Sequence, residues 1–205
     1  VATWAVFYAT MYHTNNDAFG MLASQILTFG TILLSVFFTH LVLVVVKKEK
    51  NQKKLLFINY LLGGILILII FATRLIVEST PPKFGFKSYT EGGPLYILVP
   101  IYLFANVLYS LFHLTKGIRK SKGYRKNQLS LFFIAALIGY AAGTPAFLLV
   151  LNIPIKPLTT PLVSLYPIIL TYAIVKHRFL DIEKLVKNTL IFSLLFIMLL
   201  LCVSV

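Results

Sequence analysis

Apolar positions in this chain come in long runs, and polar positions gather in short blocks between them. Five runs are long enough to cross a bilayer as helices: 19–46, 55–77, 94–115, 129–151 and 158–175. About 20 apolar residues span the hydrocarbon core, and longer runs cross with some tilt. Residues 1–13 and 189–205 are apolar but shorter, and each reads as a partial span. The pattern predicts an all-α fold, a polytopic transmembrane helix bundle with five complete spans and a partial one at each end. The chain opens at Val1 without a methionine or a signal-peptide n-region and stops at Val205 inside an apolar run. A fragment of a larger protein is therefore expected. No internal repeat at solenoid periods is present.

Composition agrees with the pattern. The 205 residues are 59% hydrophobic and only 12% charged, with a mean hydropathy of +0.88. A soluble domain cannot bury that much apolar surface. The net charge of +13 would suit nucleic acid, but it lies in short loops between spans, where topology accounts for it. No nucleic-acid partner is expected. Residues 47–54 hold Lys47, Lys48, Lys50, Lys53 and Lys54. Residues 116–128 hold Lys116, Arg119, Lys120, Lys122, Arg125 and Lys126, and residues 176–188 hold Lys176, Arg178, Lys184 and Lys187. The alternate loops carry only Arg74, Lys83, Lys87 and Lys156. This bias on every second loop predicts that the three basic segments face the cytoplasm, in a multi-pass protein of the inner (cytoplasmic) membrane. Loop 78–93, rich in Pro, Gly and aromatics, then lies outside. The single cysteine, Cys202, gives no redox-compartment signal.

Little in the spans carries chemistry. The acids Asp17, Glu49, Glu78, Glu91, Asp181 and Glu183 all avoid the middle of a span, which argues against an ion-coupled transporter. HExxH, GxSxG and Walker A patterns are absent. No catalytic residue, metal site or cofactor is expected. His40 and His113 sit in spans, but their depths differ by roughly 6 Å, which disfavours a shared haem. Hydrogen bonding to a neighbouring helix is the simpler role. His13 and Asp17 form at most half a metal site, and His177 suits a lipid headgroup. Arg74 and Glu78 at i, i+4 suggest a structural pair, with Arg74 binding an anionic ligand from outside as the alternative. Asn59 and Asn106 suggest interhelical hydrogen bonds, with a pocket lining as the alternative. Ala135, Gly139 and Gly143 form a small-residue face for close helix packing, within the bundle or in a dimer. Pro100, Pro145 and Pro167 each remove a backbone hydrogen bond from a span and can kink it.

Two segments suggest signalling. In loop 78–93, Phe84, Phe86 and Tyr89 are candidates to close over a ligand, a floppy connector being the alternative. At the other end, residues 159–188 read as a span followed by a basic, amphipathic exit. Phe179, Ile182 and Val186 share one helical face, Asp181 can cap a new helix, and Glu183 precedes Lys187 in the favourable order. A plain positive stop after a span is the alternative.

At Tyr166-Pro167, and then at Tyr172, Ala173, Ile174, Lys176, Arg178, Phe179, Leu180, Asp181 and Ile182, the chain resembles the N-terminal seven-transmembrane sensor region of bacterial histidine kinases and related signalling proteins. Trp4 and His40 also stand where that family places a Trp and a His. The resemblance implies a membrane-embedded sensory input domain of a two-component system. It would pass a signal to a cytoplasmic output through Pro167, Tyr172, Lys176, Arg178 and Asp181. It also implies a homodimer formed through the full-length protein, and a response regulator as partner if the output is a kinase. Residues 1–175 would be the sensor bundle, 176–188 the cytoplasmic exit and 189–205 a further span. The family's ligands are undefined, so no binding residue carries over. A small transporter or channel subunit is the second reading, and a haem-binding redox subunit the third.

Overall fold

The computed structural model describes residues 2–153 together with Val163, Leu165, Tyr166, Ile168, Ile169 and Tyr172, the side chains of residues 2–5 and of Tyr12 excepted. Pro167, Lys176, Arg178 and Asp181, the last apolar run, Cys202 and the side chain of Trp4 lie outside the described residues.

Five helices follow one another: α1 (Ala2–His13), α2 (Asp17–Val45), α3 (Lys53–Ala72), α4 (Leu98–Lys120) and α5 (Gly123–Val150). The strands β1 (Val77–Ser79) and β2 (Glu91–Gly92) pair antiparallel between α3 and α4. Among the described residues four helices, α2 to α5, are long and apolar enough to cross a membrane. The fold is an all-α bundle with a small β-paired cap.

Helix α2 starts at Asn16, whose side chain accepts from Phe19 N at 3.1 Å. It is the central helix, packing against α1, α3 and α4. One face carries Ser24, Thr28, Thr31, Ser35 and Thr39, all buried. Small hydroxyl residues let neighbouring backbones approach, and most satisfy themselves locally. Thr28 donates to Ser24 O at 2.9 Å, Thr31 to Leu27 O at 3.0 Å and Ser35 to Ile32 O at 2.9 Å. α2 ends with Lys47 at φ 56°, while Lys48 N reaches back to Leu43 O at 2.7 Å and Lys47 N to Val44 O at 2.9 Å, a Schellman-type close.

Three helix boundaries differ from the hydropathy pattern. The run expected over 55–77 stops being helical at Ala72. Ile76 and Val77 are fully buried in the cap instead, and Gly93 N donates to Ile76 O at 3.0 Å while Leu95 N donates to Leu75 O at 2.9 Å. A Cβ on Gly93 would stand 2.5 Å from Leu75 O, so glycine is needed for the two backbones to meet. Arg74 therefore lies past the end of the helix, and the helical spacing that suggested an Arg74–Glu78 pair does not exist. The same holds for His13 and Asp17, which end α1 and begin α2. The basic stretch 116–128 is not a long loop: α4 runs to Lys120 and α5 starts at Gly123, leaving Ser121 and Lys122 as the connection. Lys and Arg are good helix formers, and cations suit the C-terminal end of α4. A charged block marks the edge of the membrane, not the end of the helix.

Pro100 is the third residue of α4, where its missing N–H costs no intrahelical bond. The kink expected there is not required. Pro145 lies well inside α5.

Two apolar clusters fill the bundle. One, at the basic end, joins Phe38, Val42 and Val45 of α2 to Leu114 of α4 and to Leu129, Phe132 and Ala136 of α5. The other, at the opposite end, gathers Met11, Ile32, Ile70, Ile76, Phe86, Tyr89, Tyr96, Val99 and Leu149 from all five helices and the cap. Between them lies a polar junction. Asn106 Oδ1 accepts from Asn59 Nδ2 at 2.7 Å and from Thr39 Oγ1 at 2.9 Å. Asn106 Nδ2 donates to Tyr102 O at 2.9 Å, Tyr102 OH lies 2.6 Å from Asn59 Oδ1, and Ser110 Oγ donates to Thr39 Oγ1 at 3.1 Å. The two asparagines thus tie α2, α3 and α4 together, as interhelical bonding requires, and neither lines the main cavity described below.

Candidate functional site

The segment 78–93 is a folded cap. Its tip is a two-residue turn in which Phe84 (φ 56°) and Gly85 (φ 85°) both take positive φ, and Lys83 and Phe86 exchange backbone bonds at 3.0 and 3.1 Å. That is the mirror-image turn that suits a tight hairpin. Three aromatics of this segment stood out in the sequence, and they have separate fates. Phe84 is exposed at the tip, whereas Phe86 and Tyr89 are buried in the core. Phe86 packs edge-on to Tyr8 of α1 at 5.2 Å between ring centroids and against Tyr89 at 4.8 Å.

The cap is fastened on every side. Ser88 N donates to Met11 O at 3.1 Å, Ser24 and Thr90 share a short hydroxyl contact, and Tyr89 OH donates to Ala146 O at 3.0 Å. Gly20 faces Ser88, where any Cβ would collide with the serine hydroxyl. A polar clasp closes the outer edge. Lys83 Nζ donates to Asn152 Oδ1 at 2.8 Å and stands 3.7 Å from Glu91 Oε1, while Ser79 Oγ donates to Glu91 Oε2 at 3.1 Å. Asn152 is in the left-handed region at φ 61°, just past α5, a place that asparagine tolerates. Hydrogen bonds from Asn152 and Ser79, and then the charge of Lys83, hold the Glu91 carboxyl below its usual range. Partial burial lowers the Lys83 ammonium and outweighs the attraction of Glu91. Burial pushes the Tyr89 phenol far above its usual value.

Beneath the cap lies a cavity of about 400 Å³. Tyr89 and Thr90 line it from the cap, Tyr8 and Met11 from α1, Leu27, Gly30 and Thr31 from α2, Tyr96 from the turn before α4, Val99 and Leu103 from α4, and Gly139, Gly143, Ala146 and Phe147 from α5. Its origin is steric. α2 and α5 meet at Phe38, whose ring lies 5.0 Å from Tyr140 and 5.8 Å from Phe132. Nearer the cap both helices give small residues to the wall, Gly30 of α2, with nothing within 4 Å of a Cβ there, and Gly143 and Ala146 of α5. Tyrosine hydroxyls and threonines are set into otherwise apolar walls, the usual make-up of a small-molecule pocket. Of the cap aromatics, only Tyr89 reaches it.

Ala135, Gly139 and Gly143 also have different surroundings. Ala135 is fully buried. A Cβ on Gly139 would come within 2.9 Å of Tyr166 Cβ, whereas one on Gly143 would stand 4.0 Å from Val163. Tyr172 is exposed. His40 Nδ1 lies 2.8 Å from Tyr60 OH on α3, and His113 packs edge-on to Tyr109 at 4.5 Å. Among the described residues no three His, Cys, Asp or Glu side chains gather into a metal site.

The two ends of the bundle have opposite characters. The cap, the α1–α2 turn and Asn152 share one end; the segments 47–54 and 116–128 share the other, where Arg125 Nη2 donates to Val45 O. A family model described as the N-terminal 7TM region of histidine kinase matches residues 1–183.

The chain belongs to that family.

No curated protein and no solved structure matches it. The match covers the bundle, the cap and the segment up to Glu183, so the resemblance at 166–182 extends over the length of the helices as well. The chain is a multi-pass membrane region of the histidine-kinase sensor type, and a transporter, channel or haem subunit is not favoured.

Proposed function

We propose that this region receives a stimulus in the cavity beneath the cap and passes it to a cytoplasmic output through residues 176–188. The observation that carries the reading is the placement of a tyrosine-rimmed cavity of about 400 Å³ at the end of the bundle away from the basic segments. The Lys/Arg bias puts those segments in the cytoplasm, and hence the cavity in the outer half of the inner membrane. Residues 1–175 act as the sensor bundle, 176–188 as the exit and 189–205 as a further span. The full-length protein works as a homodimer with a response regulator downstream. A ligand shifts such a bundle only by binding two of its arrangements unequally.

The exit is tested in the full-length protein at matched membrane levels. On this proposal Asp181 caps the exit helix, so Asp181→Ala should cost about 1 kcal/mol, enough to change a balanced equilibrium about fivefold. A one-residue insertion after Asp181 turns everything downstream by about 100°. Both should change basal output. Gly143→Leu, which fills the cavity, should shift output as occupancy would. Wild-type output from all three variants would refute the proposal.

A further inference from the structure

At the basic end, a second and smaller cavity of about 190 Å³ lies between the ends of α2, α4 and α5. That is room for about six water-sized volumes. Five cations line it: Lys47, Lys48, Lys116, Lys120 and Arg125. Among the described residues no carboxylate does. Glu49 sits on the neighbouring turn but is not in the wall, and the Lys83–Glu91 pair is at the far end of the molecule.

Of these cations only Arg125 serves a helix end, giving Nη2 to Val45 O and Nη1 to Gln128 Oε1. The last carbonyls of α2 are already taken: Val42 O by Val46 N, Leu43 O by Lys48 N, Val44 O by Lys47 N and Val45 O by Arg125. Ile118 O accepts from Ser121 N at 3.2 Å. Lys116 Nζ lies above the ring of the exposed Phe112, 4.1 Å from its centroid.

The wall also contains His113, a buried side chain only 6% exposed. Its Nδ1 has no hydrogen-bond partner. A buried polar atom is nearly always paired, so an unpaired one in the wall of this cavity calls for a group from outside the chain. An anion with oxygen acceptors meets that need at Nδ1 and balances the lysines as well.

We propose that this cavity is a binding site for a phosphoryl group, held by Lys48, Lys116, Arg125 and His113. The level fits the headgroup phosphate of an anionic lipid, because Lys48 and Lys116 mark the boundary of their spans. A free phosphate or a soluble phosphate ester offers the same oxygens. The site is separate from the cavity under the cap and does not depend on that cavity being a sensor.

The test uses the full chain purified in a neutral detergent, with thermal unfolding as the readout. Phosphatidylglycerol, phosphatidylcholine and inorganic phosphate are titrated separately. A rise in melting temperature with phosphatidylglycerol but not phosphatidylcholine assigns the site to a lipid. A rise with inorganic phosphate alone assigns it to a soluble phosphoryl group. No rise with either overturns the proposal. Lys48→Gln and Lys116→Gln should each weaken the apparent affinity about fivefold. His113→Gln should weaken it as well; if that variant does not fold, the two lysines carry the test. Lys54→Gln, an exposed cation of the same basic segment outside the cavity, should leave affinity unchanged. Equal weakening by Lys54→Gln would mean diffuse attraction to a basic surface, and the site would be refuted.

Discussion

Replacing Asn106 by Leu should loosen the bundle through one junction. The wild-type amide accepts from Asn59 at 2.7 Å and Thr39 at 2.9 Å and donates to Tyr102 O at 2.9 Å. Leu has a similar volume but makes none of these bonds. Interhelical hydrogen bonds in membrane proteins are worth about 0.6 kcal/mol on average and up to about 1.7. The two that cross to α2 and α3 set an expected loss of about 1–3 kcal/mol. Thr39 can turn its hydroxyl toward its own helix backbone, as Thr28 and Thr31 do. Asn59 keeps the approach of Tyr102 OH but loses the acceptor for its amide. Most of the cost should therefore come from the Asn59 side. A double-mutant cycle with Asn59→Ala and Asn106→Ala, read by equilibrium unfolding in mixed micelles, measures the coupling. A coupling of at least about 0.5 kcal/mol is expected. Additive single effects would show that the junction is geometric coincidence, and the account of how α2, α3 and α4 are held would be wrong.

Gly139→Leu should destabilise the bundle more than Gly143→Leu, because the first Cβ meets Tyr166 at 2.9 Å and the second finds only Val163 at 4.0 Å; equal melting temperatures in detergent would refute this. Glu91 gives a pH dependence. Its carboxyl is held low in the folded protein, so its contribution is present above the ordinary carboxylate range and is lost as pH falls through the folded value. Lys83 stays charged throughout that window and adds no slope. Melting curves below about pH 5 should fall more steeply for wild type than for Glu91→Gln; parallel curves would mean that the clasp to Asn152 and Ser79 contributes nothing.

Hydropathy found the spans because burial in lipid is a property of long runs. It could not find where helices end. The α3 run continues in composition through Val77, yet the chain leaves the helix at Thr73 because residues 75–76 find backbone partners in 93–95, which are remote in sequence. The same limit hid the clasp. Glu91 and Lys83 were legible only as loop charges, since Asn152 comes from a different part of the chain. Asn59 and Asn106 could be read as interhelical because an amide in a span has few other uses. Thr39 and Ser110 were not, although the Ser24–Thr28–Thr31–Ser35–Thr39 spacing marks one helical face and was the available signal. The cavity wall takes small residues from α2 and α5, which are remote in sequence. Gly139 and Gly143 announced a close approach in the sequence, but nothing there said that Gly30 would line the same cavity. The meeting of His113, Lys48 and Arg125 around one cavity needed three helix ends in register.

The hydroxyl face of α2 has a mechanical consequence. Thr28, Thr31 and Ser35 spend their hydrogen bonds on their own helix. Among the described residues, the side-chain bonds joining α2 to α4 are confined to the level of Thr39, where Asn106 and Ser110 meet it. Elsewhere α2 and α4 meet through apolar side chains, Phe38, Val42 and Val45 with Leu114 at the basic end and Ile32 with Val99 toward the cap. The level of Asn106 is where hydrogen bonds pin the two helices. Val99, in the wall of the large cavity, lies seven residues to one side of it, about 10 Å along the axis. Lys116, at the basic cavity, lies ten residues to the other side, about 15 Å. If α4 tilts as a rigid rod about that point, a displacement at Val99 arrives at Lys116 reversed in direction and enlarged roughly one and a half times.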